Sequence, residues 1–311
     1  MFGLFSRQSN AGYTAVVPAE AGLCVASIVS NGKQPRLETC DFMPWSKKGN
    51  NGDNEKLLAD AVRRHRLGGR ACTTVMELDD YTVLSVEAPD VPPDELRAAI
   101  RWQIRDLIDF HIDDAVVDIF DAPPSGAHGR QNTLYVVVSR LSRVRERVDR
   151  LQGAEANLTT IDIPELVLRN ITARLPEDEA GVAFVYLTCE RGLLIITRRS
   201  TLYFARTLGM GHAALSDGDH AQYDQLVLEV QRSLDYYDRY FVQPPVAGLV
   251  LAPCEVPLDG LEGYLHESLG LAVRSLDLRE IIACDHDMDA AAQARCLPAI
   301  GAALRQEPAV L

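Results

Sequence analysis

Residues 182–208 read VAFVYLTCERGLLIITRRSTLYFARTL, and this segment is the strongest indication of the fold. Apolar and β-branched residues fill it, and its polar residues fall mainly at two tight turns. It predicts three consecutive strands, Val182–Thr188, Leu193–Arg198 and Thr201–Leu208. Asp224–Phe241 then carries apolar residues at helical spacing, and an apolar strand follows at Gly248–Ala252.

The first part of the chain repeats this order. A helix from about Asn54 stands between the third and fourth of four predicted strands, Tyr13–Val17, Leu23–Ser30, Arg36–Phe42 and Cys72–Leu78. Two copies of the order strand–strand–strand–helix–strand indicate a duplicated α/β unit. A helix near Asp259–Ser268, a strand at Ala272–Leu276 and a helix near Asp289–Arg305 complete the chain.

Additional elements stand between the two copies. After a strand at Tyr81–Glu87, we expect Asp90 to cap a helix that has Pro92 and Pro93 in its first turn. Two more strands and a helix from Ser142 follow, the strands being Ala115–Asp121 and Thr133–Ser139. The order predicts an inserted subdomain. We call the two copies half 1 and half 2. The expected divisions are 1–78 for the first part of half 1, 79–155 for the insertion, 156–180 for the return to half 1 and linker, and 181–311 for half 2.

Composition excludes several functional classes. The chain has 311 residues, which suits two domains of about 150 residues each. Its formal net charge of −13 argues against general nucleic-acid binding, which needs a concentrated cationic surface. No apolar run approaches the roughly 20 residues that cross a bilayer, and no signal peptide is visible. The sequence therefore predicts a cytoplasmic protein, in which the short apolar opening Met1–Arg7 is a frayed terminus or packing anchor.

The seven cysteines are scattered along the chain and never form a CxxC pair. A zinc site needs closely spaced ligands, and a secreted disulfide framework needs an even count in a short chain. We therefore expect reduced cysteines, several of them packed as small core residues, and no metal site.

The duplicated order is that of actin and the sugar kinases, which hold a nucleotide in a phosphate cradle. Such enzymes need a glycine-rich hairpin with an aspartate at two strand turns. The first turn, VVPAEAG (16–22), contains a proline, and the second, YLTCERG (186–192), has no aspartate. Glu20 and Glu190 are the candidate ligands for a hydrated magnesium, although solvated turn carboxylates are the favoured interpretation. Pro253 and Cys254 stand where a glycine pair would approach an adenine, so we do not expect ATP turnover.

Other catalytic patterns do not occur either. The sequence has no P-loop, HExxH or GxSxG motif. Asp285-His286-Asp287 is interpreted as a polar surface turn. His111 with its neighbouring aspartates is not expected to form an acid–base site, because no further group converges there.

Four segments resemble the PilM/MshI family of type IV pilus biogenesis proteins. LVLEVQRSLDYY (226–237), followed by QPPV (243–246), is similar to the family helix E-x-x-R-S-L-x-Y-Y. RWQIRDLIDFHID (101–113) resembles its R-W-x … I-P-F-x-x-D helix exit. IDIPELVLRN (161–170) resembles an entry segment typical of MshI, and LPAIGAALR (297–305) the family's closing segment. The matches occur in the family's order.

The resemblance implies a duplicated actin-like, ribonuclease H-like ATPase fold with an inserted FtsA-type subdomain. It also implies a component that binds the N-terminal cytoplasmic tail of a PilN-like inner-membrane protein. The tail groove would lie between the insertion and the first half, with Trp102, Ile104, Phe110 and Ile112 as candidate lining residues. Ile104 is on the core-facing stripe of its helix, whereas Trp102 is off that stripe. Many members of the family bind ATP, but this sequence departs from all three of their nucleotide motifs.

Three functional hypotheses follow. The first is a non-catalytic scaffold with a degenerate nucleotide cleft, no cofactor, and protein partners in the pilus platform and motor. The second is an ATP-dependent switch that still binds ATP and magnesium through backbone groups and Glu20 or Glu190. The third is a GspL-like component of a type II secretion system, which is disfavoured because such chains continue into a transmembrane helix.

Overall fold

The structure is a computed structural model, and it describes residues 13–30, 35–46, 51–124, 132–216, 218, 220–284 and 288–305. The Met1–Arg7 opening and the Asp285-His286-Asp287 turn lie outside the described residues. Among those described, no helix is both long and apolar enough to cross a membrane.

The first sheet contains six strands: β1 (Thr14–Pro18), β2 (Gly22–Ser30), β3 (Pro35–Pro44), β4 (Cys72–Val75), β8 (Leu158–Asp162) and β14 (Ala283–Cys284). Their order is β14-β3-β2-β1-β4-β8. β1, β2 and β3 pair antiparallel, whereas β1, β4 and β8 pair parallel. The antiparallel β1–β2 hairpin is therefore joined, through β1, to the parallel strands β4 and β8, and parallel neighbours need crossover connections.

The second sheet repeats this pattern with β9 (Val182–Leu187), β10 (Gly192–Arg198), β11 (Thr201–Leu208), β12 (Gly248–Leu251) and β13 (Val273–Ser275). Its order is β11-β10-β9-β12-β13, again antiparallel through the meander and parallel through the last three strands. Every residue of β10 is buried, which is typical of a strand covered on both faces. The duplication read from the sequence is present in the strand order.

The third sheet is small and antiparallel, and its strands are β5 (Tyr81–Glu87), β6 (Ala115–Asp121) and β7 (Thr133–Arg140). Its order is β5-β7-β6. Between β4 and β8 the chain thus forms this sheet together with two helices.

The helices are α1 (Asn51–Arg64), α2 (Leu96–Ile104), α3 (Leu141–Gly153), α4 (Pro164–Thr172), α5 (His212–Leu215), α6 (His220–Tyr240), α7 (Leu261–Leu269) and α8 (Ala290–Ala303). α1 and the end of α3 pack on the outer face of the first sheet, and α6 and α7 on the outer face of the second. α8 packs on the inner face of the first sheet and α4 on that of the second, while the two helices contact each other. The helix pair α4–α8 therefore joins the two halves.

Close approach of α4 and α8 depends on Gly301. A Cβ at this position would lie 2.6 Å from both Cγ1 and the carbonyl oxygen of Val167. The Asn170 amide donates a hydrogen bond to the Gly301 carbonyl oxygen (3.0 Å). Just beyond α8, Arg305 forms a 2.9 Å ion pair with the buried carboxylate of Asp162.

Two helix starts differ from the sequence-based prediction. α2 begins at Leu96, so Asp90 is not its cap and Pro92 and Pro93 precede the helix. A residue before proline is disfavoured in the helical conformation, and here the segment forms turns in which Glu95 N–H donates to Pro92 O (3.0 Å). Asn54 lies inside α1 rather than at its start. Strand β8 and helix α4, which stand next to each other in the chain, are not predicted from the sequence.

Gly301→Ala tests the close contact between α4 and α8. The added methyl would overlap Val167, so we expect the free energy of unfolding to fall by about 1–3 kcal/mol. Gly263→Ala in α7 is the matched control, because no atom lies within 4 Å of its added Cβ. Helix propensity should make that variant more stable by about 0.5–1 kcal/mol. Urea denaturation measures both, and equal effects of the two substitutions would contradict the close packing.

Candidate functional site

A groove of about 490 Å³ lies where the third sheet faces the second half of the chain. We call it the β5–β11 groove. It is bounded by β5, β11, the end of α6 and the start of α4. Its lining comprises Leu78, Tyr81, Thr82, Val83, Ser85, Val86, Glu87, Ala122, Pro123, Thr133, Tyr135, Glu165, Leu202, Phe204, Ala205, Thr207, Tyr236, Tyr240 and Phe241.

Both long walls of this groove are edge strands. Within the part of the chain that the structure describes, β5 pairs only with β7, and β11 pairs only with β10. Successive residues of a strand point to opposite faces, yet all residues of Tyr81–Glu87 except Leu84 line the groove. The groove therefore lies beside the edge of β5, where backbone N–H and C=O groups lack a neighbouring strand.

Aromatic rings form the wall that α6 and β11 contribute. The ring centroids of Tyr236 and Tyr240 are 4.2 Å apart and nearly parallel, and the Phe204 ring is 4.9 Å from Tyr236. Tyr236 is 36% exposed and Tyr240 is 47% exposed. The Tyr135 hydroxyl donates a hydrogen bond to the Tyr203 carbonyl oxygen (2.5 Å), which ties the third sheet to β11. This wall offers apolar contact area at low entropy cost.

The groove floor carries a buried carboxyl group. Glu165, in the first turn of α4, is only 4% exposed, and its Oε2 accepts a 2.6 Å hydrogen bond from the Tyr81 hydroxyl. Burial raises the pKa of Glu165; the Tyr81 hydrogen bond opposes the rise and nearby Asp162 adds to it. Among the groove's lining residues no Lys, Arg or His occurs, and the only charged types are Glu87 and Glu165. The site is thus aromatic and acidic.

A second cavity of about 660 Å³ lies on the other side of the α4 start. It is lined by Pro93, Asp94, Leu96, Arg97, Ile119, Phe120, Asp121, Leu134, Leu166 and Arg169. The start of α4 separates the two cavities, because Glu165 lines the groove and the next residue, Leu166, lines the second cavity. The Phe120 and Tyr135 rings, 5.2 Å apart, stand between them.

The four partner-binding residues proposed from the sequence lie elsewhere. Ile104 is fully buried in the core of the third sheet, with Phe110 and Ile112 packed against that core. Trp102 is 71% exposed, and the Arg105 guanidinium lies 5.3 Å from its ring centroid. None of the four lines either cavity. Partner binding at these residues stays a prediction.

The turn between β1 and β2 uses its own polar groups. Ala19 and Gly22 exchange backbone hydrogen bonds of 2.8 and 3.3 Å. The Trp45 indole donates to the Ala19 carbonyl oxygen (2.6 Å). Glu20 is exposed at the tip of this turn.

The turn between β9 and β10 is closed in the same way. The Thr188 hydroxyl donates to the Arg191 carbonyl oxygen (2.9 Å), and the first amides of α5 donate to the turn's carbonyl oxygens. Arg191 also forms an ion pair with Asp79. Glu190 is exposed, and among the described residues neither it nor Glu20 belongs to a group of three or more potential metal ligands. Nucleotide binding at these turns remains a hypothesis.

Comparison with known proteins bears on the fold. No protein-family model matches the chain, and no curated protein matches it. A chain of a solved PilM-PilN type IV pilus biogenesis complex is similar in structure, with a TM-score of 0.73, 20% identity and coverage of 95% of this chain and 98% of that one.

Two further solved structures are similar. The cytoplasmic domain of EpsL, an inner membrane component of the type II secretion system of Vibrio cholerae, matches with a TM-score of 0.51 and 12% identity, covering 93% of this chain and 95% of that one. A Bacteroides thetaiotaomicron protein with an actin-like ATPase fold and unknown function matches with a TM-score of 0.50 and 8% identity, covering 90% and 96%. The chain therefore has the actin-like ATPase fold that its duplicated sequence predicts.

Glu165→Gln tests the buried carboxyl group of the groove. Because the pKa of Glu165 is raised in the folded chain above its ordinary value of about 4.3, the folded state binds this proton more tightly. Its contribution to the free energy of unfolding is present at low pH and is lost as pH rises through the raised pKa. Glutamine has no such proton, so the variant should lose less stability than the parent between about pH 4 and 8.

Urea denaturation across this pH range measures how the free energy of unfolding of the parent and of Glu165→Gln changes with pH. Asp162 keeps its carboxyl group in both chains, so their difference reports the titration of Glu165 together with its coupling to Asp162. Glu87→Gln, which removes an exposed carboxylate of the same groove, should follow the parent. Parallel pH profiles for the parent and Glu165→Gln would contradict the assignment.

Proposed function

We propose that this chain is a non-catalytic adaptor of a type IV pilus assembly machine of the MSHA type. In this role it binds the N-terminal cytoplasmic tail of a PilN-like protein at the cytoplasmic face of the bacterial inner membrane. The resemblance of its motifs to PilM/MshI and the likeness of its fold to a chain of a PilM-PilN complex support the proposal. The observation that carries it is the β5–β11 groove with its two unpaired strand edges.

The first argument concerns the backbone of the bound segment. An extended peptide can add to an exposed sheet edge, where main-chain hydrogen bonds give affinity and alternate side chains enter pockets. β5 and β11 both present such edges to the groove. A tail that lies along either edge would pair groups that otherwise depend on water.

The second argument concerns apolar side chains of the tail. Tyr236 and Tyr240 present their rings to solvent beside Phe204 and Phe241. Aromatic residues of this kind dominate binding energy at protein interfaces, because they bury large areas with few rotatable bonds. Alternate apolar residues of an extended tail would contact this wall.

The third argument concerns charge. Cytoplasmic segments beside transmembrane helices carry an excess of Lys and Arg. The groove offers two glutamates and no cation among its lining residues, within a chain of net charge −13. A basic residue of the tail could pair with Glu165 and offset the cost of its burial.

The nucleotide cleft is proposed to be degenerate. The β1–β2 turn contains no glycine-rich cradle, Pro18 has no N–H, and the Ala19 and Gly22 amides donate to each other's carbonyl oxygens rather than to a phosphate. A switch that binds ATP is the alternative within the same machine. The likeness to the EpsL cytoplasmic domain favours a second candidate, in which the groove takes an inner-membrane partner of a type II secretion system.

Calorimetric titration tests the adaptor role. The probe is a synthetic peptide of the N-terminal cytoplasmic tail of the PilN-like protein from the same organism, and we expect one peptide to bind per chain. Tyr240→Ala should weaken this binding by roughly tenfold or more, because it removes part of the aromatic wall.

Leu228→Ala is the matched control. Leu228 belongs to the same helix and is similarly exposed at 46%, but it does not line the groove. Trp102→Ala distinguishes this groove from the site that the sequence predicts at α2, because binding in the groove leaves the affinity of this variant unchanged. Weaker binding of Trp102→Ala together with unchanged binding of Tyr240→Ala would move the site to α2, and no binding to the parent chain would refute the proposed partner.

A further inference from the structure

Three cysteines from distant parts of the sequence meet in the first half of the chain. Cys24 lies in β2, Cys40 in β3 and Cys296 in α8. Their Sγ atoms all lie within 4.8 Å of one another. Cys24 and Cys296 are buried and Cys40 is half-buried. We call this group the three-cysteine cluster.

The sheet register explains why the thiols converge. Cys24 lies opposite Phe42 and Ala26 opposite Cys40, so the two cysteines are diagonal neighbours on one face of the sheet. α8 packs across that face and brings Cys296 against them. Cysteine spacing along the sequence could not indicate this cluster, because each thiol comes from a different element.

The two strand cysteines of the cluster, Cys24 and Cys40, are not arranged as a disulfide. Diagonal cross-strand residues are about 7–8 Å apart at their Cα atoms, which exceeds the span that a disulfide bridges without backbone movement. All three cysteines are free in the structure. Three unpaired sulfurs therefore remain available as ligands on one side of the sheet.

A neighbouring cation provides an independent observation. Arg295 precedes Cys296, and its guanidinium lies 5.0 Å from the centroid of the Phe42 ring. The Arg295 Nε is buried and has no hydrogen-bond partner among the described residues. A buried guanidinium N–H without an acceptor is costly. The charge of Arg295 acts on Cys296, so negative charge on the thiols of the cluster would offset part of that cost.

We propose that Cys24, Cys40 and Cys296 bind one Cu(I) ion as a buried three-thiolate site. Thiolates are soft ligands that select soft metals such as Cu(I). With metal–sulfur bonds of about 2.3 Å, a trigonal array places its sulfurs about 4 Å apart, so the observed spacing needs only a small contraction.

The ligand count favours Cu(I) over zinc. Structural zinc takes four ligands in a tetrahedron, and the described residues supply only these three to the cluster. The nearest candidate in sequence, Asp41, is on the opposite side of β3, where it pairs with Arg64 (3.2 Å) and His65 (3.1 Å). Cu(I) accepts three sulfurs in a plane and needs no fourth group.

Binding would join β2, β3 and α8 through one ion. A ligand that binds only the folded chain raises its stability. The site lies apart from the β5–β11 groove, so it does not depend on the proposed partner.

Competition for Cu(I) tests the site directly. The reduced full-length protein is titrated into Cu(I) bound to bathocuproine disulfonate, whose absorbance falls as copper is transferred. We expect transfer of one equivalent per chain and a higher melting temperature of the loaded protein. Cys40→Ser, at the half-buried position, should abolish transfer while keeping the parent's circular dichroism spectrum. Cys189→Ser, at an exposed cysteine outside the cluster, should leave transfer unchanged.

Three results would overturn the proposal. They are no transfer to the parent chain, equal transfer to Cys40→Ser and the parent, and stoichiometric Zn²⁺ binding that requires Cys40 and that Cu(I) does not displace. Cys24→Ser provides a second variant if Cys40→Ser fails to fold, because it removes a different ligand from the same site.

Discussion

The contact between α4 and α8 holds the two halves of the chain together. One helix covers the inner face of each sheet, so the two halves meet wherever these helices meet. Gly301 lets the backbones approach, and the Asn170 hydrogen bond fixes their register. The largest core cluster includes residues of both sheets and both helices, which means that neither half completes its core alone.

The contact between α4 and α8 also positions the candidate groove. α4 begins directly after β8, and the Arg305–Asp162 ion pair ties that junction to the end of α8. Removing one partner of a buried pair leaves an uncompensated charge, so this attachment holds the start of α4 firmly. Glu165 lies in that first turn, where it meets Tyr81 from the edge strand β5. The groove floor is therefore connected to the α4–α8 contact, whereas its tyrosine wall on α6 is open to solvent.

The sequence predicts the frame well where periodicity is strong. The β9–β11 meander matches its predicted ranges closely, whereas helix α6 begins about one turn before the predicted Asp224. Trp102, which is off the helical stripe, is exposed. β8 was missed because Thr159 and Thr160 interrupt its apolar pattern, and the start of α2 was misplaced because two prolines favour turns there. The groove and the three-cysteine cluster could not be predicted, since both arise from edges and faces that only tertiary packing brings together.

The chain has the actin-like fold, and both hairpin turns make hydrogen bonds within the chain. We infer that the frame now serves to present a protein-binding groove. Calorimetric titration of the purified chain with ATP and magnesium tests this claim most directly. A degenerate cleft predicts no saturable heat at millimolar ATP. Saturable binding of one ATP per chain would contradict it and would favour a nucleotide-dependent switch.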